Sequence, residues 1–160
     1  MPVKSITSDY TGRKKDLSIL QHPDATLLGP QTVTPAFGAP TRFCAGIQKL
    51  IQRYAIILLT NLESQPNYPE FGTRFIANLS INSSIDRILA RQIFALANAI
   101  AIRTLQSYQI KTKNIPSDER IDNATLRNIV VDPRAGSVSF DIAITSDAGE
   151  TVDFLLPLPK

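Results

Sequence analysis

Three carboxylates stand where an acid could do chemistry: Glu63 and Glu70 in a proline-rich stretch, and Asp86 ahead of a long apolar run. Glycoside hydrolysis needs two such groups across one cleft, one of them with its pKa raised by an apolar setting. Glu63 and Glu70 lie among Asn, Gln and Ser, which is a wet setting. Asp86 fits better as a first-turn charge facing a helix dipole. The chain has no Trp and four Tyr, so a sugar-stacking cleft is poorly supplied. Nucleophilic catalysis has less to work with. Cys44 has only His22 as a base, across a proline-rich stretch, and a lone cysteine commonly acts as a small buried hydrophobe. Gly12 and Gly46 are isolated, and no Gly-x-x-x-x-Gly-Lys phosphate loop occurs. Metal ligands do not cluster. The expectation is therefore no enzymatic activity, no cofactor and no metal.

Composition points the same way. At 160 residues the chain can bury a core without staples, and its single cysteine excludes an internal disulfide framework. No uninterrupted run of eighteen apolar residues occurs, and the start Met-Pro-Val-Lys-Ser lacks the apolar stretch of a secretory signal. A soluble protein made in a reducing cytoplasm is expected, with no membrane partner and no small-molecule substrate. The net charge is +3, unevenly spread: residues 1–60 carry seven Lys/Arg against three Asp/Glu, and residues 137–160 carry one against four. The only dense basic cluster is Arg13-Lys14-Lys15, without the interleaved aromatics of a nucleic-acid stripe. Opposite signs at the two ends suit head-to-tail contacts in an assembly.

The elements that would position these residues follow from periodicity. Residues 1–44 hold five prolines, which forbid a long helix, so they read as an extended arm with isolated apolar patches at Leu17, Ile19, Leu20 and Phe37. A helix is expected over 45–60, with Ile47, Leu50, Ile51, Tyr54 and Leu58 on one face and Lys49 and Arg53 marking the wet side. Pro66 and Pro69 prevent its continuation. A second, longer helix is capped by Asn82 or Ser83. Its core stripe is expected along Ile85, Ile88, Leu89, Ile93 or Gln92, Leu96, Ala97, Ile100 and Leu105. Arg87 and Arg91 share another face, and Ala90, Ala95, Ala97, Ala99 and Ala101 permit close helix approach. The period then changes to two. Strands are expected over 125–131, along Val138, Phe140, Ile142 and Ile144, and over 151–156, joined by turns at 132–136 and 146–149. The fold class is α+β: two main helices packed on a C-terminal three-stranded antiparallel sheet, with the proline-rich arm (1–44) preceding the domain (45–160).

Three features in this order carry a resemblance. An apolar helix ends at Thr60, and Pro69-Glu70-Phe71-Gly72 follows nine residues later. An Asp118-Glu119-Arg120 corner leads through Ile121 into the hairpin-rich tail. Over roughly residues 45–158 the chain resembles the sheath-initiator or baseplate-wedge proteins of contractile-tailed phages and related injection systems, often labelled lysozyme-like. The family often has Gly-Glu in the loop where this chain has Glu63-Ser64. It also has Glu-Pro-Arg at the corner, where this chain has a shorter acid and no proline.

The resemblance implies a structural protein of the virion tail baseplate, assembled in the host cytoplasm. Its partners would be the tail sheath protein, the baseplate wedge and hub proteins and the tail tube end, with six copies around the tube. Partner contacts are expected at Phe71 and Gly72, at Asp118 and Arg120, and at Val152, Phe154 and Leu156. The last three belong to a strand whose open edge can accept a foreign strand and so template sheath assembly. The Phe71-Gly72 pair can equally form an ordinary turn, and Arg120 can equally pair with Asp118 within the chain. The competing functions are a cell-wall glycoside hydrolase and a basic nucleic-acid-binding adaptor.

Overall fold

In the computed structural model, residues 12–19, 31–32, 43–82, 85–132, 134 and 136–159 are described. Most of the expected arm, and the Ser83 capping position, lie outside these residues.

The long antiparallel meander is built from β4 (Ile121–Asp132), β5 (Ser137–Ser146) and β6 (Thr151–Pro159). β5 carries the alternation that the sequence advertises: Val138, Phe140, Ile142 and Ile144 are buried on one face, with Phe154 and Leu156 of β6 beside them. At the β5–β6 turn Gly149 adopts φ +78°, a left-handed conformation suited to glycine. Two further short strands were not anticipated. β2 (Gln31–Thr32) pairs in parallel with Phe154 and Leu155, giving the sheet order β2-β6-β5-β4. β1 (Asp16–Leu17) pairs antiparallel with β3 (Phe43–Cys44) in a separate two-stranded ribbon.

Helices α1 (Ile47–Leu59), α2 (Phe75–Ile81) and α3 (Arg87–Lys111) cover the apolar face of the sheet. Phe75, Phe94 and Phe140 join α2, α3 and β5, with ring centroids 5.2 to 6.1 Å apart. The short α2 went unread because it spans only two turns, although its Phe75 and Leu79 have the spacing of one helical face. Asp86 is the N-cap of α3, its carboxylate accepting from Leu89 N at 2.7 Å, so the helix starts later than a cap at Asn82 or Ser83 would place it.

Two expectations about which side faces inward are overturned. Along α3 the buried residues are Ala90, Ile93, Phe94, Ala97, Ala101, Leu105 and Gln109, while Ile88, Leu96 and Ile100 of the expected core stripe point outward. Alanines against the core let α3 sit close to α1 and the sheet, which turns the larger side chains away. By length and composition alone, α3 is also apolar enough to cross a membrane. On α1, the expected wet residue Lys49 is only 4% exposed, because segment 12–19 lies across that side of the helix.

Candidate functional site

The corner Asp118-Glu119-Arg120 forms a single 3-10 turn (Ser117–Glu119) between α3 and β4. Its two acids are buried and engaged by their own chain. Glu119 Oε2 lies 3.1 Å from Lys49 Nζ, and its Oε1 accepts from Gly46 N at 3.3 Å. A carboxylate from 73 residues away thus sits at the start of α1, where the helix offers unpaired N–H groups and the positive end of its dipole. Asp118 takes the Arg13 guanidinium on Oδ2, while its buried Oδ1 has no hydrogen-bond partner among the described residues. Arg120 is half exposed and approaches Asp147 at 3.9 Å, so the anticipated Arg120–Asp118 bridge is not the one formed. The corner therefore ties segment 12–19, α1 and the β5–β6 turn together. Of its residues, Arg120 is the one left open to a partner.

Two glutamines complete the tie, and neither was singled out in the sequence. Gln52 donates to Leu17 O at 2.7 Å and accepts from Ile19 N at 2.8 Å, as a neighbouring strand would. Gln109 does the same for Glu119 O (2.9 Å) and Ile121 N (3.1 Å). A side-chain amide can supply one donor and one acceptor at this spacing, so each helix face presents a piece of artificial β-ladder. Lys49 Nζ also donates to Lys14 O at 2.9 Å, and Arg53 reaches Asp16 at 3.2 Å. Only a helix position with a polar residue between apolar ones hinted at Gln52 and Gln109. Sequence periodicity gives such positions to solvent.

Cys44 lies beside this network, buried, with its Sγ directed at Gln52 Oε1 at 3.7 Å. Burial first, and the Asp16 carboxylate second, push its thiol up to about 11, which favours the protonated form at neutral pH. His22, its one conceivable base, lies outside the described residues.

The loop from Thr60 to Gly72 is closed by its own backbone. Thr73 N donates to Thr60 O at 2.8 Å, and Leu62 N donates to Thr73 O at 2.9 Å. Gly72 sits at φ +109°, and a Cβ built there would meet Thr60 O at 2.5 Å. Close backbone approach requires that glycine, and Phe71 packs half-buried on the core, so this pair closes the loop. Glu63 adopts φ +66°, a left-handed conformation that side chains other than glycine rarely take. Its carboxylate is solvent-exposed and 3.9 Å from Arg74; Glu70 is also exposed. These two acids and the capping Asp86 do not form an acid pair in an apolar cleft. Among the described residues no group of three or more His, Cys, Asp or Glu is arranged to hold a metal.

At the sheet, the side chains of Phe154 and Leu156 are fully buried in the core and Val152 is half-buried, so at these positions β6 has chiefly its main chain to offer a partner. Pro157 opposes Ser139 of β5 and cannot donate a hydrogen bond, so its place is tolerated where that position faces away from β5. By the alternation of main-chain groups, Thr151, Asp153 and Leu155 face outward with it. β2 occupies this edge opposite Phe154 and Leu155. On the far side of the sheet, β4 has no strand neighbour on its outer edge among the described residues.

No protein-family model matches the sequence, and no curated protein or solved structure is significantly similar to it.

Proposed function

We propose that this chain is a structural component of a contractile-tail baseplate, joining wedge and hub proteins and templating the first sheath subunits by β-strand addition at the outer edge of β6. The observation that supports this reading is the pairing of Gln31–Thr32 with Phe154 and Leu155. An extended segment of the chain already adds to this edge, in parallel, at the two described residues Gln31 and Thr32. The adjoining main-chain groups of Thr151 and Asp153 extend the same edge. Proline at 157 shortens the usable stretch, because it offers no N–H to an incoming strand. The sequence resemblance supplies the identity of the partners and the six-fold setting. The edge geometry supplies the mode of contact.

Leu155→Pro tests it. The substitution removes the outward N–H beside β2, loosening that pairing while leaving the β5 ladder in place, so the domain fold is expected to survive, as thermal melting will show. Purified sheath protein of the same tail is expected to assemble on the unmodified chain and to fail on the variant. Equal assembly on a folded Leu155→Pro variant overturns the proposal.

A further inference from the structure

The outward side of α3 is apolar where a helix lying on a core should be polar. Ile88 is 70% exposed, Leu96 69% and Ile100 41%, with the exposed alanines Ala95 and Ala99 between them and Ile110 about three turns further along. Ile88, Gln92, Ala95, Ala99, Gln106 and Ile110 follow one another at spacings of three, four or seven, a seam about 33 Å long at the helical rise, with Leu96 and Ile100 along one side of it. Such a seam accepts another helix: the larger residues are knobs, and the alanines floor a hollow for the partner's knobs.

Charge narrows the occupant. Residues 87–111 contain Arg87, Arg91, Arg103 and Lys111 and no acid at all. Arg87, Arg91 and Arg103 form no ion pair among the described residues. Two of them lie in the first turns of α3, where the dipole opposes positive charge. No acid within α3 itself offsets that cost, and the capping Asp86 stands at its start. A second copy of α3 laid on the first would bring cations against cations, so self-pairing is disfavoured. A lipid surface offers nothing to fill a hollow, and Gln92 and Gln106 on the seam suit interhelical hydrogen bonds rather than acyl chains.

We infer that the outward face of α3 docks an amphipathic, acid-flanked helix of a partner protein, with Ile88, Leu96 and Ile100 packing and Arg87, Arg91 and Arg103 meeting its carboxylates. This surface is separate from the β6 edge, so it stands or falls independently of the strand-addition reading.

The test uses the full chain and a synthetic helical peptide with a leucine seam flanked by glutamates. Its lysine-flanked twin, and vesicles of phosphatidylcholine with phosphatidylserine, serve as competing probes. The glutamate peptide is expected to bind, more tightly at low salt. Leu96→Asp should abolish binding, and Arg91→Glu with Arg103→Glu should weaken it about tenfold or more and turn preference toward the lysine twin. All three positions are solvent-exposed, so the variants keep the wild-type melting temperature. Leu155→Pro should leave peptide binding unchanged. The inference is overturned by failure of the glutamate peptide to bind, by equal binding of the two twins, by loss of peptide binding in a folded Leu155→Pro variant, or by binding to the vesicles alone.

Discussion

Lys49 and Glu119 form an ion pair at 3.1 Å with both side chains almost wholly withdrawn from solvent. The pair joins the first turn of α1 to the corner that opens the sheet. It is held from both ends, by Lys14 O on the ammonium and Gly46 N on the carboxylate. A buried pair contributes little over a well-packed apolar substitute, but removing one partner strands the other's charge.

Lys49→Met is therefore expected to destabilise the fold by about 3–5 kcal/mol, and Lys49→Met with Glu119→Leu to recover much of that loss. Urea unfolding of the single and double variants measures both. A double variant as unstable as the single would show that the carboxylate's other contact, at Gly46, dominates.

Gly72→Ala should cost about 2–4 kcal/mol, because a left-handed backbone and a Cβ lodged 2.5 Å from Thr60 O act together. The relaxing part is the 60–73 loop. Hydrogen exchange at Leu62 and Thr73, whose N–H groups close that loop, should accelerate along with the fall in melting temperature.

Glu63→Gly should move stability the other way or not at all, within about 1 kcal/mol. Relief of the φ +66° conformation is offset by the larger freedom of glycine in the unfolded chain. The lost Arg74 contact weighs little, since both groups are exposed. Thermal melts of Glu63→Gly and Glu63→Ala separate the backbone from the charge: alanine should not reproduce the glycine result.

Gln52→Ala should release segment 12–19 before it unfolds the domain. The two hydrogen bonds to Leu17 and Ile19 are local to that strap, so tryptic cleavage at Arg13, Lys14 and Lys15 should accelerate while the global melting temperature falls modestly. Unchanged cleavage would mean that the ion pairs at Asp16 and Asp118 hold the strap unaided.

Alkaline pH should weaken the fold through Cys44. Its folded pKa stands near 11, above the ordinary value of 9.0, so the unfolded chain loses the thiol proton first. The stabilising contribution is full below pH 9 and is lost as the pH rises through about 11. Unfolding at pH 8 and pH 10.5, with Cys44→Ala as reference, should show a steeper decline for the unmodified chain. Parallel declines would remove the thiol from that account.

Much of the architecture was legible in one dimension. A strand buried on one face must alternate, so Val138 to Ile144 announced β5. Proline and glycine marked the loop and the hairpin corners because few other residues take those backbone angles. The helix around Leu50 and Tyr54 announced its core face by spacing. Periodicity states which residues share a side, and it stops there. On α3 two sides are apolar, and only the close approach that Ala90, Ala97 and Ala101 allow decided which went inward, leaving Leu96 to solvent. Lys49 and Gln52 carry polar atoms at helix positions that ordinarily face water. They are buried because a segment some thirty-five residues earlier brings backbone partners to them. Local sequence fixes the repeat of an element through its backbone geometry. The fate of a polar group depends on whether distant chain arrives with a matching donor, acceptor or charge, and that was decided by the tertiary structure alone.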